Sequence, residues 1–412
     1  MDDSFFDKPL TRKRLLATAG TAAASFGLVP GWFLRAAAAA RQRSRKVLVV
    51  LFQRGAADGL NIVPPFGDAD YRKARPNIGI EAPTRGSETI DLDGRFGLHP
   101  RLAELAPLWK AGRMAIVHAA GSPDGTRSHF DAQDYMESGT PGVKSTQDGW
   151  LNRAMAAAPG RRDPMAAVAI AARLPRTLRG AYPALATTGA DQLKAGGMMI
   201  DSFESVYDEA ADALLAGPAR DIAEARRSLH GVEKVDREAF QRAGYPKGRL
   251  GRDLFELARL LDADVGLRVG FVEMGGWDHH FNEGSVDGQL ARRLDELGGA
   301  IAAFYRQLGD RAEDVLLLTM TEFGRALEEN GNGGTDHGHA SVMLAFGGAV
   351  KGARVHGRWP GLAKERLFEQ RDLAVTTDYR QVVSEVLSSH CGVPNLAKVF
   401  PGGPFAPIGL LA

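Results

Sequence analysis

Cysteine is nearly absent from the sequence, which has one, Cys391, in 412 residues. A single thiol cannot form a disulfide within the chain, so a hydrophobic core must hold the fold together in any redox compartment. Cys391 follows an apolar helical pattern and precedes Gly392-Val393-Pro394. This setting is typical of a buried or capping residue and argues against a thiol nucleophile.

The sequence also has no excess of charge of either sign, with 51 basic residues, 50 acidic residues and a net charge of +1. No basic surface for nucleic acid or for an anionic membrane is therefore predicted. No G-x-G-x-x-G motif follows the first predicted strand, which argues against Rossmann-type binding of a phosphate-carrying cofactor. The apolar share of 44% and the charged share of 25% are ordinary for a soluble globular protein.

The first 45 residues have the composition of an export signal rather than of a folded domain. Residues 11–16, TRKRLL, precede an Ala/Gly-rich run and then five alanines, residues 36–40, which offer a small-residue cleavage site. The segment resembles a twin-arginine signal with Lys13 at the second arginine position. It predicts recognition by the twin-arginine translocase and a periplasmic or secreted protein. The alternative is an uncleaved anchor, but Pro30 and Arg35 interrupt the apolar run, so we predict no stable membrane span.

Short apolar runs alternate with amphipathic helical patterns along residues 46–412. Buried strands are predicted at residues 46–53, 114–117, 269–272, 315–318 and 341–346. Helices are predicted at residues 102–109, 252–261, 289–308 and 378–387. The alternation predicts a single α/β domain with a mostly parallel central sheet flanked by helices. Further helical patterns at residues 150–158, 202–215 and 221–235 predict a helical insertion, about 150–250, that covers the site.

Carboxylates and imidazoles cluster just past the ends of predicted strands, where ligands bind in open α/β sheets. The candidate metal ligands are Asp58, Asp278, His280, Glu322, Asp336, His337 and His339. Oxygen and nitrogen donors suit a divalent ion such as zinc, manganese, calcium or magnesium. The Gly/Asn-rich stretch at residues 330–334 lets the chain fold back and bring the last three of these residues near Glu322. The alternatives are an Asx-turn role for Asp58 and polar surface loops for the others.

A second group of polar residues lies where a helix is predicted to begin, in the stretch TRSHFDAQDYM, residues 126–136. The hydroxyl of Ser128 faces the positive end of the helix dipole, which favours a nucleophile or a bound oxyanion. Arg127 beside it could clamp a phosphate or sulfate, and His129 completes the candidate catalytic set. The alternative is that Ser128 only caps the helix, with Asp131 three residues on.

Eight motifs over the mature chain resemble a bacterial exported family known as domain of unknown function 1501. They are LFQRGAADGLN, FGLHPRL, RSHFDAQDYMESG, GGWDHHFN, LTMTEFGR, GTDHGHA, VHGRWPGL and TTDYRQVVSEVL. That family looks like a branch of the alkaline phosphatase-like superfamily, which includes phosphatases, sulfatases and phosphomutases.

The resemblance implies roles for the candidate residues. Asp58 corresponds to a metal-binding aspartate after the first strand, and Ser128 to the nucleophile. Asp278 and His280 correspond to paired ligands, and His337 or His339 to a final histidine ligand. Phe323 stands where that superfamily has a histidine ligand, so one metal site is expected to be lost or rebuilt with Asp336.

The leading hypothesis is an exported metal-dependent hydrolase acting on phosphate or sulfate esters of a small molecule or polysaccharide. The alternative is a non-catalytic exported binding or scaffold protein that keeps the phosphatase-like fold. Phe323 favours that alternative, and Trp277 and Trp359 would then contact a carbohydrate or a partner.

Overall fold

A nine-stranded sheet forms the centre of the fold in the computed structural model. The structure describes residues 46–84, 89–160, 162–189 and 237–412. The strands of these residues are β1 (Val47–Gln53), β2 (Ile90–Asp91), β3 (Gly97–Leu98), β4 (Met114–Gly121), β5 (Ala167–Ile170), β6 (Leu185–Thr187), β7 (Val269–Met274), β8 (Val315–Thr321), β9 (Arg325–Glu329), β10 (Thr335–His337), β11 (Ser341–Phe346), β12 (Arg354–His356) and β13 (Thr377–Asp378). The α-helices are α1 (Gly59–Ile62), α2 (Ala69–Ala74), α3 (Ala106–Lys110), α4 (His129–Ser138), α5 (Trp150–Ala157), α6 (Arg237–Arg242), α7 (Arg249–Asp262), α8 (Gln289–Leu308) and α9 (Tyr379–Glu385).

The sheet has the strand order β12-β4-β11-β8-β1-β7-β5-β6, and β13 pairs with β4. Strand β11 runs antiparallel to both of its neighbours, β4 and β8. The other pairings in this sheet are parallel. The prediction of a mostly parallel sheet flanked by helices is confirmed.

Alternate residues of the central strands pack into two different cores, because successive side chains of a strand point to opposite faces. On β1, Val47, Val49 and Leu51 join a core that also contains the inward faces of α7 and α8. Leu48, Val50 and Phe52 join a second core with residues of α5 and α9. Burial on both faces explains why β1 is a continuous apolar run rather than an alternating one.

The parallel register brings three strand ends together. Gln53 at the end of β1 pairs with Met274 at the end of β7 and with Thr321 at the end of β8. The segments that follow these strands therefore leave the sheet side by side at one edge. These segments carry most of the predicted site residues.

The predicted helical insertion at about 150–250 is wrong for part of its length. Strands β5 and β6 lie within it and pair in parallel at the edge of the central sheet. They are only four and three residues long, and two of the four residues of β5 are alanines, so their apolar signal is weak. The predicted helices at 202–215 and 221–235 and the export signal at 1–45 lie outside the described residues.

The helical pattern at 102–109 divides into a 3₁₀ turn, Pro100–Leu105, and helix α3. Among the described residues, no helix combines the length and the apolar character needed to cross a membrane.

Candidate metal centre

Three side chains from distant parts of the sequence converge at the edge formed by β1, β7 and β8. His129, Asp278 and His337 each direct one ligand atom into a group whose atoms lie within 4.8 Å of one another. Nε2 of His337 lies 3.0 Å from Nε2 of His129 and 3.1 Å from Oδ1 of Asp278. His129 begins α4, Asp278 follows β7, and His337 ends β10.

His280 adds a fourth donor to this group. Its Nε2 lies 3.0 Å from Nε2 of His337 and 3.0 Å from Oδ1 of Asp278. We call His129, Asp278, His280 and His337 the histidine cluster. A tetrahedral ion with ligand distances of about 2.0–2.1 Å separates its ligand atoms by about 3.3 Å. The spacings of His337 and Asp278 to the other members are close to that value, whereas His280 lies outside the group of three ligand atoms that are all within 4.8 Å of one another.

The other ring nitrogens fix the tautomers of two of these histidines. Nδ1 of His129 lies 2.9 Å from Oε1 of Glu322, and Nδ1 of His337 lies 2.9 Å from the backbone carbonyl of Arg127. Because a carboxylate and a carbonyl only accept hydrogen bonds, both Nδ1 atoms carry the proton. In the neutral rings, both Nε2 atoms then present lone pairs to one another.

The electrostatics of the cluster favour a bound cation. Burial opposes the ionisation of Asp278, but the hydrogen bond and charge of Arg325 lower the pKa of Asp278 to about 2. Burial lowers the pKa of His337, so this ring stays neutral, whereas the hydrogen bond to Glu322 raises the pKa of His129 against its burial. Facing lone pairs beside a carboxylate repel one another unless a proton or a metal ion lies between them. Three imidazoles and one carboxylate suit zinc or manganese better than the oxygen-rich sites of calcium and magnesium.

Glu322 lies behind His129 instead of joining the histidine cluster, so its predicted role as a direct ligand needs correction. Its Oε1 accepts hydrogen bonds from Nδ1 of His129, from Nε2 of Gln133 and from the backbone N–H of Gly55. Burial opposes ionisation, but these donors hold the pKa of Glu322 below its ordinary value. Metal-binding histidines commonly have a carboxylate in this position, which fixes the orientation of the ring. Gly55 can approach closely because it has φ of +118°, and a Cβ there would lie 2.8 Å from the backbone nitrogen of Asp278.

The Asp336-His337-Gly338-His339 sequence divides between different surroundings. Strands β9 and β10 form a hairpin with an irregularity in register between Thr335 and His337. Asp336 is exposed, and its Oδ1 lies 3.5 Å from Nδ1 of His280, behind that ring. His339 is buried away from the cluster, where its Nε2 contacts the backbone carbonyl of Ser122 and its ring packs in a tilted arrangement against Phe368. Neither residue is a direct member of the cluster, which corrects both predictions.

Asp58 has a buried partner of its own and does not reach the histidine cluster, so its predicted role as a ligand is also corrected. Both of its carboxylate oxygens bind the guanidinium of Arg75, and both side chains are almost completely buried. Burial opposes ionisation, but the charge of Arg75 holds the pKa of Asp58 below its ordinary value. Burial and the charge of Asp58 raise the pKa of the neighbouring Glu283 above its ordinary value. Asp58 belongs to the structural core beneath the site.

Ser128 is the N-cap of α4, and its hydroxyl accepts a long hydrogen bond of 3.5 Å from the backbone N–H of Asp131. The residues on either side both contact the cluster, Arg127 through its carbonyl and His129 through its ring. The guanidinium of Arg127 is held by Glu369 and by buried Asp372. The predicted phosphate clamp is therefore already engaged by two carboxylates.

Two residues of the site were missed in the sequence. Arg325 is completely buried and donates to Oδ1 of Asp278 at 2.7 Å and to Oγ1 of Thr335 at 3.0 Å. Gln133 donates a hydrogen bond to Glu322, and its position one turn after His129 on α4 is the only sequence signal for this role.

Phe323 packs with Ala56 and Ala132, and its ring stacks on His129 at 5.0 Å between centroids. Phe323 is an apolar wall of the cluster.

Comparisons with known proteins place this geometry in context. A family model described as "Protein of unknown function (DUF1501)" matches residues 45–399. No curated protein matches the chain significantly.

Solved structures that match include the lipoteichoic acid synthase LtaP from Listeria monocytogenes, with 9% identity, a TM-score of 0.32 and coverage of 74% of this chain and 65% of that one. The chain thus spans less than two thirds of the length of that synthase. PsFucS1 sulfatase from Pseudoalteromonas sp. matches with 12% identity, a TM-score of 0.41 and coverage of 90% and 74%. A mutant alkaline phosphatase from the Antarctic bacterium TAB5, with Mg bound, matches with 10% identity, a TM-score of 0.32 and coverage of 73% and 90%.

Proposed function

The chain belongs to the DUF1501 family, and from the geometry of its histidine cluster we propose that it is a metal-dependent hydrolase of phosphate or sulfate esters. His129, Asp278, His280 and His337 would hold one divalent ion, zinc or manganese. The substrate would be a small-molecule or polysaccharide ester.

One observation carries this proposal. Nε2 of His337 lies 3.0 Å from Nε2 of His129 and 3.0 Å from Nε2 of His280. The Nδ1 protons of His129 and His337 are already donated, to Glu322 and to the backbone carbonyl of Arg127. With these protons on Nδ1, neither the Nε2 of His129 nor that of His337 carries a proton in the neutral rings, so their 3.0 Å contact requires an added proton or a metal ion between them. A metal ion accepts lone pairs from all three Nε2 atoms at once, and this donor set is the kind that binds zinc.

When bound, the divalent ion would supply Lewis acidity and lower the pKa of a coordinated oxygen. The Oγ of Ser128, at the N-terminus of α4, would lose its proton to solvent and attack the phosphorus or sulfur atom. The ester oxygen would leave with the electrons of the broken bond and take a proton from solvent. Water would then cleave the Ser128 ester and release phosphate or sulfate. Backbone N–H groups in the first turn of α4 would stabilise charge on the transferred group. Glu322 would hold His129 in the productive tautomer.

Metal analysis and an esterase panel test this proposal together. Purified mature protein would be depleted with a chelator, reloaded with zinc or manganese, and assayed with aryl phosphates and aryl sulfates. We expect about one ion per chain and activity that depends on it. A double variant His129→Ala/His337→Ala should lose both, and metal-free protein with full esterase activity would refute the proposal.

The engaged guanidinium of Arg127 favours a second candidate, a non-catalytic binding or scaffold protein. A guanidinium beside the metal would help a hydrolase of this kind to receive the anionic group, but Arg127 is paired with Asp372 and Glu369 instead. In this case the metal would bind with the same stoichiometry, but no ester in the panel would be hydrolysed. The metal content and the activity therefore separate the two functions.

The export of the protein is a further part of the proposal, supported by the sequence of residues 11–40. Twin-arginine translocases carry folded proteins, so metal could be inserted before export. Substitution of Arg12 and Lys13 by glutamine should retain the precursor in the cytoplasm, as measured by cell fractionation. Unchanged recovery of the processed protein outside the cytoplasm would contradict this route.

A further inference from the structure

Two adjoining cavities lie beside Trp359, apart from the histidine cluster. Each has a volume of about 300 Å³, and Arg95 and Trp359 line both of them. Asp68 and Arg366 complete the polar wall of one cavity, whereas Phe96 and His118 contribute rings to the other. We call these six residues the Trp359 cleft. No member of the histidine cluster lines either cavity.

The Trp359 cleft lies at the same edge of the sheet as the histidine cluster. Strands β4 and β12 are parallel to one another, and His118 and His356 lie towards their carboxyl ends. Strand β4 is antiparallel to β11, which is antiparallel to β8, so β4 and β8 point the same way. This is the edge at which open α/β sheets bind ligands.

Trp359 is held in one orientation. Its Nε1 donates to Oδ2 of Asp68 at 3.2 Å, and its ring makes edge contacts with Phe96 and His118 at centroid distances of 5.2 and 4.8 Å. The indole is half-buried, whereas Trp109, Trp150 and Trp277 are buried in the cores. A fixed indole that lines both cavities can contact a ligand without further loss of side-chain entropy.

Two exposed guanidiniums of the cleft could bind an anionic group. The Asp68 carboxylate already accepts N–H groups from Trp359, Leu362 and Asp70. Oδ1 of Asp93, in the second cavity, accepts the backbone N–H groups of Arg95 and Phe96. The guanidiniums of Arg95 and Arg366 are exposed, and neither pairs with a carboxylate within the part of the chain that the structure describes. Asp68 and Asp93 keep their charge, but their oxygens already accept hydrogen bonds from N–H groups, whereas the two guanidiniums can still donate to an anionic group.

We propose that the Trp359 cleft binds an acidic oligosaccharide. The apolar face of a sugar ring would lie on Trp359, and its carboxylate or sulfate would bind Arg95 and Arg366. Two neighbouring cavities that share Arg95 and Trp359 suit a chain of sugars better than a single small anion. Binding at this cleft requires neither the metal nor hydrolysis, so it stands independently of the proposed function.

Titration calorimetry with three tetrasaccharides tests the proposal. A uronic acid tetramer, a sulfated tetramer and a neutral maltotetraose would each be added to the mature protein, with and without metal. We expect the acidic tetramers to bind at least tenfold more tightly than the neutral one, equally in both metal states. Whichever acidic tetramer binds more tightly identifies the anionic group. Equal affinity for all three, or no binding of either acidic tetramer at millimolar concentration, would refute the proposal.

Variants locate the binding site. Arg95→Gln and Arg366→Gln should each weaken binding of the acidic tetramer at least fivefold, and Trp359→Ala should abolish it. Arg292→Gln removes an exposed guanidinium from α8, outside both cavities, and should leave binding unchanged. Tryptophan fluorescence provides a second readout, since Trp359 contacts the ligand and should change its emission in the wild type. Undiminished binding by a folded Trp359→Ala variant, verified by circular dichroism, would also refute the proposal.

Discussion

Oε1 of Glu322 lies 2.9 Å from Nδ1 of His129, and the Glu322 side chain is completely buried. The same oxygen accepts hydrogen bonds from the N–H groups of Gly55 and Gln133. The loop after β1 and the first turns of α4 therefore both bind this carboxylate. Glu322 thereby sets the tautomer and orientation of His129 without touching the centre of the cluster. Its importance to metal binding is indirect and can be measured separately from that of a ligand.

The first prediction concerns this indirect effect. Glu322→Gln keeps an oxygen acceptor for Nδ1 but removes the negative charge that raises the pKa and the basicity of His129. Loss of such a partner typically lowers metal affinity by about 10- to 100-fold. Competition with a chromophoric zinc chelator at pH 8 would measure this change.

Glu385→Gln provides the control for loss of a buried carboxylate. Glu385 accepts backbone N–H groups of Ile408, Gly409 and Leu411, away from the cluster, so its loss should affect stability alone. A metal affinity in Glu322→Gln equal to that of this control would show that Glu322 does not support His129.

The second prediction separates the two histidines of the DHGH motif. His337→Asn should reduce metal binding to below one tenth of the wild-type affinity, because its Nε2 contacts three other members of the cluster. His339→Asn should bind metal normally, since that ring faces Ser122 and Phe368. Metal content per folded chain, measured by plasma mass spectrometry, gives the comparison. Equal losses in the two variants would contradict the placement of His339 outside the site.

The third prediction distinguishes two roles of Ser128. Ser128→Ala removes the helix cap and the hydroxyl, whereas Ser128→Asn keeps a capping side chain and removes only the hydroxyl. If Ser128 is the nucleophile, both variants should lose esterase activity by at least a hundredfold and keep the metal. Urea unfolding should show a loss of about 1 kcal/mol for the alanine variant and less for asparagine. Wild-type activity in the asparagine variant would limit Ser128 to capping.

The sequence predicted those parts of the fold whose conformation depends on residues adjacent in the chain. The continuous apolar runs of β1 and β8 predict strands buried on both faces, and the strand ends predict where polar groups gather. Partners across the fold could not be predicted in this way. Asp58 and Arg75 are 17 residues apart, and only the folded chain shows that Arg75 takes both carboxylate oxygens.

The same limit applies to Glu322 and His129, which are 193 residues apart in the chain. A carboxylate that follows a strand end has the same local sequence whether it binds a metal directly or hydrogen-bonds to a histidine that does. The sequence therefore could not distinguish these two roles for Glu322. Strands β5 and β6 were missed for a different reason, because their three- and four-residue length leaves little periodicity to detect.

The fourth prediction concerns the buried pair of Asp58 and Arg75. Asp58→Asn leaves the guanidinium of Arg75 buried without a countercharge, which typically costs about 3–5 kcal/mol of unfolding free energy. Because the fold lowers the pKa of Asp58, its stabilising effect is present above the unfolded-state pKa of about 3.9 and is lost as the pH falls through the folded-state pKa. The difference between wild type and variant should therefore be large at pH 7 and shrink below about pH 4. Urea unfolding across this pH range measures it. Asp70→Asn, which breaks an exposed pair with Lys73, should leave the unfolding free energy nearly unchanged at any pH. Metal content per folded chain should stay at the wild-type value in Asp58→Asn, and a selective loss of metal from the stable fraction would instead make Asp58 part of the metal centre.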